Sequence, residues 1–223
     1  MEIARNNITS AYVDSLKAVV NEKYIFVLVV KIEKPLIGLS GTVVDKELGL
    51  LDLNLDKHVH NRFKEFIFKD GKSGRWWIKN RVKEMLKGSY YHAITKNKQL
   101  DFVIDALRKI KAGNYTWCSN YLLCITFDPQ EKYLSHIHLS RKPIPPCLTL
   151  LDFKPERNRL HLIASWRAQY FDTKAYGNLL SLGILLREIC VKTEYDAGCL
   201  ISIARKAILR SRSDSRRLLR ELR

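Results

Sequence analysis

The sequence has little of what marks several common functional classes. Its ten glycines are nowhere spaced to form a glycine-rich phosphate loop. Its five cysteines are odd in number and show no CxxC spacing, which argues against a zinc ribbon or a disulfide framework and favours a reduced interior. No linker-like segment interrupts the 223 residues. We therefore expect one globular domain over residues 1–223.

Long apolar runs are also missing from the sequence. The longest, YIFVLVV at residues 24–30, stops at Lys31 and is far too short to cross a bilayer. The first twenty residues carry polar side chains where a signal peptide needs an apolar core. These observations predict a cytoplasmic protein without a membrane partner.

Acidic residues are scarce relative to basic ones. The chain has 39 Lys and Arg against 23 Asp and Glu, a net charge of +16, which favours a polyanionic partner. The excess is concentrated in RKAILRSRSDSRRLLRELR, residues 205–223, where we expect a basic C-terminal helix or tail. Two interpretations of this segment stay open, a solvated basic surface and a contact with nucleic acid.

Hydrophobic periodicity predicts a mixture of helices and strands. Helical spacing follows Ser10, recurs in WWIKNRVKEMLKG up to Gly88, and is clearest from Leu100 to Ile110, before Gly113. Leucines at helical spacing over residues 177–190 predict a buried helix. Five segments read as strands: residues 24–33, 121–128, 133–140, 147–154 and 159–170. Helices between hairpin-like strands predict an α+β fold rather than a doubly wound sheet.

One cysteine follows two prolines at the head of an apolar run. In PIPPCLTLL, residues 143–151, Cys147 stands directly after Pro145 and Pro146. Prolines hold φ at about −65° and donate no backbone N–H, so they form a stiff lead-in that orients the next side chain. The alternative is that Cys147 is a small apolar residue at the start of a buried strand.

The residues after Cys147 resemble the core of the thymidylate synthase family. PPC, two strands and WRAQYFDTKAYGN follow the order of the family's Pro-Cys nucleophile and Arg-Ser-x-Asp segment. Asn178 stands eleven positions after Arg167, as the family's asparagine does, and KQLDFVIDALRKI resembles its Asp-Gln-Ile helix with Gln99 retained. The likeness covers residues 85–200 and suggests a divergent, compact archaeal-type member. It implies a mixed, largely antiparallel sheet with packed helices, in a homodimer.

The resemblance also implies an activity, the methylation or hydroxymethylation of carbon 5 of a uracil nucleotide such as dUMP. A thiolate that adds to carbon 6 makes carbon 5 nucleophilic, so Cys147 is the expected catalytic residue. Arg167 would clamp the phosphate and stabilise the thiolate. Gln169 and Asn178 would also bind the substrate, with the Asn178 amide facing N3–H and O4 of uracil. The expected donor is a reduced pterin, methylene-tetrahydrofolate or a tetrahydromethanopterin-type compound, without a metal.

Several family positions carry other residue types here. The arginine pair that contacts the phosphate falls on Asn120 and Tyr121, and the folate-binding aspartate falls on Tyr170. The histidine and tyrosine that hold the sugar fall near residues 205–207, where neither type occurs. Phosphate, sugar and pterin contacts are therefore expected to differ from the family's.

Three further residues are possible members of the site. Asp172 is a candidate replacement for the missing carboxylate. Tyr90 and Tyr91 lie near the position of the family's active-site tyrosine, or belong to the core.

Other functions stay open beside this one. A catalytically retired scaffold that binds nucleotides or nucleic acid would keep the fold and leave Cys147 inert, and a pyrimidine within RNA or DNA would combine both ideas. The pairs His58/His60 and His136/His138 have no third ligand nearby, so no metal site is predicted. Trp76 and Trp77, flanked by the basic residues Arg75, Lys79 and Arg81, would either stack on a base or pterin ring or pack in the core.

Overall fold

A mixed β-sheet organises the part of the chain that the computed structural model describes, residues 1–39, 55–114, 122–126 and 146–223. Seven strands lie within these residues: β1 (Glu2–Arg5), β2 (Tyr24–Ile32), β3 (Leu123–Ile125), β4 (Leu148–Glu156), β5 (Arg159–Trp166), β6 (Gln169–Tyr170) and β7 (Asp196–Ile208). Their order is β1-β2-β7-β5-β4-β3, and β6 pairs with β7. The pairs β1/β2, β5/β7 and β6/β7 are parallel, and the other three are antiparallel. The predicted α+β class with a mixed sheet is confirmed.

Helices pack against this sheet. They are α1 (Ile8–Glu22), α2 (Lys57–Glu65), α3 (Gly74–Leu86), α4 (Ser89–Thr95), α5 (Gln99–Lys111), α6 (Ala175–Thr193) and α7 (Arg212–Glu221), with a 3₁₀ turn at Lys96–Lys98. The predicted opening helix is confirmed, but it begins before Ser10 because the Asn7 side chain accepts a hydrogen bond from the Ser10 backbone N–H. The predicted helices before Gly88 and Gly113 are confirmed as α3 and α5.

Helix α6 forms the centre of the core. Every residue from Ala175 to Leu186 is buried, which confirms the predicted buried helix. Its Tyr176 ring stacks on Tyr12 of α1, with ring centroids 4.7 Å apart, and meets Phe63 of α2 edge-on. A helix that is apolar on all sides is stable only inside such a shell of neighbours.

The predicted strands are confirmed in β2, β4 and β5, with one change at the end of β5. Residues 159–170 read as one strand, but the chain leaves the ladder after Trp166, and Gln169 pairs with Ala207 of β7 instead. Of the segment 121–128, the described part contains β3. The predicted strand at 133–140, with His136 and His138, lies outside the described residues.

The basic C-terminal segment contains two kinds of structure. Residues 205–208 belong to β7, and residues 212–221 form α7. Three of its arginines are bound within the fold: Arg210 pairs with Asp70 at 2.7 Å, Arg212 donates to the Val20 carbonyl, and Arg217 pairs with Asp214 at 3.2 Å. The other basic side chains of the segment are exposed: Arg205, Lys206, Arg216, Arg220 and Arg223.

The two faces of the sheet differ in burial. Along β5, Leu160, Leu162, Ala164 and Trp166 are fully buried, whereas the alternate residues are half-buried. On the half-buried face, Ile163 lies beside Ile201 of β7, and Ile203 lies beside Val29 of β2. Among the described residues, no helix has the length and apolar content needed to span a bilayer.

Candidate functional site

The paired ends of β4 and β5 hold Cys147 next to Arg167. The Arg167 backbone N–H donates to the Cys147 carbonyl at 2.8 Å, just beyond the last pair of the ladder, Leu148 and Trp166. The Arg167 Nε donates to the carbonyl of Pro146 at 3.2 Å. The guanidinium therefore fastens the proline lead-in that the sequence analysis expected to orient Cys147.

Cys147 is half-buried and lines a pocket at this end of the sheet. The chain segment after β5 contributes Gln169 to the pocket, and the first turn of α6 contributes Asn178. Tyr90 of α4 completes this side of it. The structure thus brings together four of the site residues predicted from the sequence, while Arg167 does not line the pocket.

Gln169 is the most unusual polar group in the pocket. Its side chain is 2% exposed, and neither its amide oxygen nor its amide nitrogen has a hydrogen-bond partner among the described residues. Asn178 beside it is 4% exposed. An unpaired buried polar group costs about 1–3 kcal/mol, so such groups occur mainly where a ligand or an ordered water supplies the partner.

Two cationic side chains lie in the same pocket. Arg81 comes from α3, and Lys174 is the N-cap residue of α6. Burial lowers the pKa of Lys174, and the charge of Arg81 lowers it further. The Nε of Arg81 is buried without a partner in the described part of the chain. The pocket therefore combines neutral amides with concentrated positive charge.

The two tyrosines predicted as possible site residues are in different positions. Tyr90 packs edge-on against Trp166, with ring centroids 6.1 Å apart, and burial raises its pKa, with a further electrostatic contribution from the neighbouring Cys147. Tyr91 is more exposed, contacts the ring of His92 and does not line the pocket.

The pocket is narrow. The cavity that its described side chains enclose is about 20 Å³, which is room for about one water molecule. Sites for drug-sized ligands are usually at least about 300 Å³. The described side chains therefore do not enclose a volume the size of a nucleotide.

Asp172 does not line the Cys147 pocket. It is fully buried, and its Oδ2 accepts hydrogen bonds from the backbone N–H groups of Arg210 and Ser211, each at 2.8 Å, and from the Ser215 hydroxyl at 3.3 Å. It lines a second pocket together with Asp214. Its contacts connect the chain before α6 to the start of α7.

Among the described residues, the histidines and tryptophans singled out in the sequence do not line the Cys147 pocket. His60 lies on α2, its Nδ1 is 3.2 Å from the Tyr176 hydroxyl, and burial lowers its pKa to about 4. No group of three potential metal ligands occurs in residues 1–39, 55–114, 122–126 and 146–223. Trp77 is buried, while Trp76 is 38% exposed with the Lys72 ammonium 4.1 Å from its ring centroid.

Lys174 was not identified from the sequence as a site residue. It precedes Asn178 by four positions at the start of a helix, so both share one face of α6, and this spacing was a usable signal. Arg81 was considered only as a basic neighbour of Trp76 and Trp77, and it reaches the Cys147 pocket through the packing of α3 on α6.

Comparison with known proteins bears on the fold. No family model and no curated protein sequence matches the chain. Among solved structures, the chain is similar to thymidylate synthase from T4 phage, with a TM-score of 0.53 and 16% sequence identity. The match covers 90% of this chain and 76% of the phage enzyme. The chain has a thymidylate synthase-like fold.

This thymidylate synthase-like fold is consistent with the mixed sheet and its packed helices. At 16% identity the likeness establishes the fold alone, so the activity rests on the pocket residues. Asn120 and Tyr121, where the family's arginine pair falls, lie outside the described residues.

Proposed function

We propose that the chain is a divergent thymidylate synthase-like enzyme that activates carbon 5 of a uracil nucleotide such as dUMP for one-carbon transfer. The observation that carries this proposal is the grouping of Cys147, Asn178 and the unpartnered Gln169 amide around one pocket. Amides present both donors and acceptors, as the N–H and C=O edge of a uracil ring requires. A half-buried thiol beside such amides has the arrangement of a nucleophile next to its substrate.

The proposed activation begins with the thiolate of Cys147. Its sulfur forms a bond to carbon 6 of the base, and the electron pair of the 5,6 double bond moves to carbon 5 and the O4 carbonyl. Carbon 5 can then take a proton from solvent. Loss of the original carbon 5 hydrogen as a proton and breakage of the carbon–sulfur bond restore the base. This exchange needs no other reactant.

A one-carbon donor needs binding residues of its own. The fold implies a folate-type cofactor in general, and the N–H edge of a pterin ring needs a hydrogen-bond acceptor such as a carboxylate. The described lining of the pocket contains no carboxylate, Tyr170 stands at the family's aspartate position, and Asp172 bonds elsewhere. These residues do not fit a pterin, so we derive no step through one. A methylene-tetrahydrofolate or tetrahydromethanopterin-type donor stays a prediction.

Arg167 makes one hydrogen bond that bears on its role in the site. It holds the carbonyl of Pro146, which suits a residue that positions Cys147. The phosphate clamp expected from the sequence stays a prediction for Arg167.

Tritium release from [5-³H]dUMP tests the proposal. We expect release by the wild-type protein, with or without methylene-tetrahydropterin donors, and its loss in Cys147→Ala, because exchange requires the sulfur. Cys199→Ser is the matched control, since Cys199 is also half-buried but does not line the pocket, and it should retain release. Full release by Cys147→Ala, or none by the wild type from dUMP, UMP or a uracil-containing oligonucleotide, would contradict the proposal.

A second candidate is a catalytically retired thymidylate synthase-like scaffold that binds nucleotides or nucleic acid. The narrow cavity favours it, as does the exposed basic group Arg205, Lys206, Arg216, Arg220 and Arg223. Such a protein would bind polyanions with an affinity that falls steeply with salt, and it would bind them equally well without Cys147.

We also propose that the protein is a homodimer. The half-buried sheet face carries Ile163, Ile201 and Ile203, with Asp152 beside Ile163 and Lys31 beside Ile201. Two such faces packed together would bury these side chains in both copies.

A further inference from the structure

Positive charge in the Cys147 pocket has no carboxylate partner within the described residues. Neither Arg81 nor Lys174 forms an ion pair there. Glu84 acts on Lys174 from nearby, but its carboxylate accepts a hydrogen bond from the Ser89 backbone N–H at 3.0 Å. Arg210 adds a further positive charge, although Asp70 pairs with it. The two cations that line the pocket are therefore available to a ligand.

The packing of α3 on α6 places the Arg81 side chain. A Cβ atom at Gly177 would lie 2.9 Å from the Cβ and 3.0 Å from the Cγ of Arg81, and 3.1 Å from the Cα of Ile78. Glycine at this position therefore admits the stem of Arg81 against the first turn of α6. The close approach holds the guanidinium beside the start of that helix.

The start of α6 contributes positive potential of its own. Its N-cap, Lys174, makes no capping hydrogen bond with its side chain, and the first turn contains no acidic residue. The amino end of a helix carries about half a positive charge, which attracts anions. Gln169 lines the same pocket, and neither of its amide atoms has a partner among the described residues, so the pocket holds a buried amide that can bond a polar ligand independently of the cations.

We propose that Arg81, Lys174 and the amino end of α6 form a phosphate subsite beside Cys147, which binds the phosphate monoester of the substrate. This deepens the proposed function, on which its assignment to a nucleotide rests. A phosphate monoester carries a charge of about −1.5 to −2 at neutral pH, which matches two cations better than a single carboxylate does. The subsite uses residues other than the arginine pair that this sequence lacks.

Alkylation of Cys147 tests the subsite without requiring catalysis. The carboxylate of iodoacetate is attracted by positive charge, whereas iodoacetamide is neutral. Both reagents are attacked by the same thiolate, so the ratio of their rates cancels any change in thiol ionisation. We expect this ratio, measured by peptide mass spectrometry, to be about five-fold higher in the folded protein than in the urea-unfolded chain.

Charge-neutralising variants assign the effect to named residues. Arg81→Gln and Lys174→Gln should each bring the ratio toward its unfolded value. Arg75→Gln, which removes an exposed charge from the same helix, should leave it unchanged. An equal ratio in folded wild type and unfolded chain, or equal effects of Arg75→Gln and Arg81→Gln, would overturn the proposal.

Protection experiments identify the ligand. Inorganic phosphate and dUMP should slow the alkylation of Cys147 by iodoacetamide in the wild type, and acetate and deoxyuridine at equal concentration should not. Protection by phosphate without tritium release would keep the subsite and reject the proposed activity. Equal protection by acetate and phosphate, or by deoxyuridine and dUMP, would reject a phosphate subsite.

Discussion

Gln169 shows at the scale of one residue how a binding site costs stability. Its amide is desolvated by the fold, yet the described residues return no hydrogen bond to it. Gln99 offers the opposite case, because its Oε1 accepts from the Ile125 backbone N–H at 2.9 Å and its Nε2 donates to the Ala93 carbonyl at 3.0 Å. We therefore compare Gln169, whose amide we expect to bind a ligand, with Gln99, whose amide stabilises the fold.

Replacing each glutamine by methionine separates these roles. We expect Gln169→Met to raise the free energy of unfolding by about 1 kcal/mol, because it removes an unpaired buried amide, and Gln99→Met to lower it by about the same amount. Urea denaturation measures both changes. Gln169→Met should also abolish the protection of Cys147 by dUMP. A loss of stability in both variants would show that the Gln169 amide is satisfied in the folded protein.

Much of the site was predictable at this scale from the resemblance to a known family. The resemblance, which rests on the Pro-Cys order and on the interval from Arg167 to Asn178, implied Cys147, Gln169 and Asn178 as site residues, and the structure places all three around one pocket. The position of Arg81 in this pocket was not predictable, because the contact that brings it there depends on the absence of a side chain at Gly177. A close approach between two helices leaves no periodic pattern in the sequence.

At the scale of elements, Asp172 fastens α7 to the rest of the fold. Its carboxylate accepts the N–H groups of Arg210 and Ser211, and Ser211 in turn caps α7 by accepting from the Asp214 N–H. Burial raises the pKa of Asp172, although these hydrogen bonds oppose the shift. Because the pKa is raised on folding, the contribution of Asp172 to stability is greatest at low pH and is lost as pH rises through the folded value.

The substitution Asp172→Asn tests this pH dependence. Asparagine keeps an oxygen acceptor but carries no charge, so the free energy of unfolding of the variant relative to wild type should increase as pH rises from about 4 through the raised pKa. Urea denaturation between pH 4.5 and 8 provides the measurement, with the exposed Asp105→Asn as control. A relative stability that falls with pH would show that the ionised carboxylate of Asp172 stabilises the fold.

The longest strand, β7, was missed in the sequence for a physical reason. Its residues 205–208 belong to a segment whose charge suggested a helix or tail, but Arg205 and Lys206 are exposed while Ala207 is buried beside β2. A high density of charged residues indicates that a segment is exposed to solvent. It does not distinguish a strand from a helix, because both have exposed residues. Pairing with β2 on one side and β6 on the other determines the conformation here, and those partners are remote in sequence.

At the scale of the whole molecule, the proposed dimer predicts a change of mass. Ile201→Glu places a carboxylate among the isoleucines of the half-buried sheet face, so we expect it to convert a dimer into a monomer in sedimentation equilibrium. Val191→Glu adds the same charge at a side chain that is 76% exposed on α6, and it should leave the mass unchanged. A wild-type protein with the mass of one chain would exclude the dimer. An Ile201→Glu protein that stays dimeric would place the contact between the two copies elsewhere.

The position of β7 in the sheet also bears on how the protein folds during synthesis. Leu28 pairs with Ala204, so two neighbouring strands are separated by most of the chain. Until β7 emerges from the ribosome, β2 and β5 have unpaired edges that face each other across an empty place in the sheet. Pairing between segments so far apart in sequence is slow, and the unpaired strand edges can associate with other nascent chains in the meantime. The β4/β5 hairpin can form earlier, but this sheet is complete only when β7 is available.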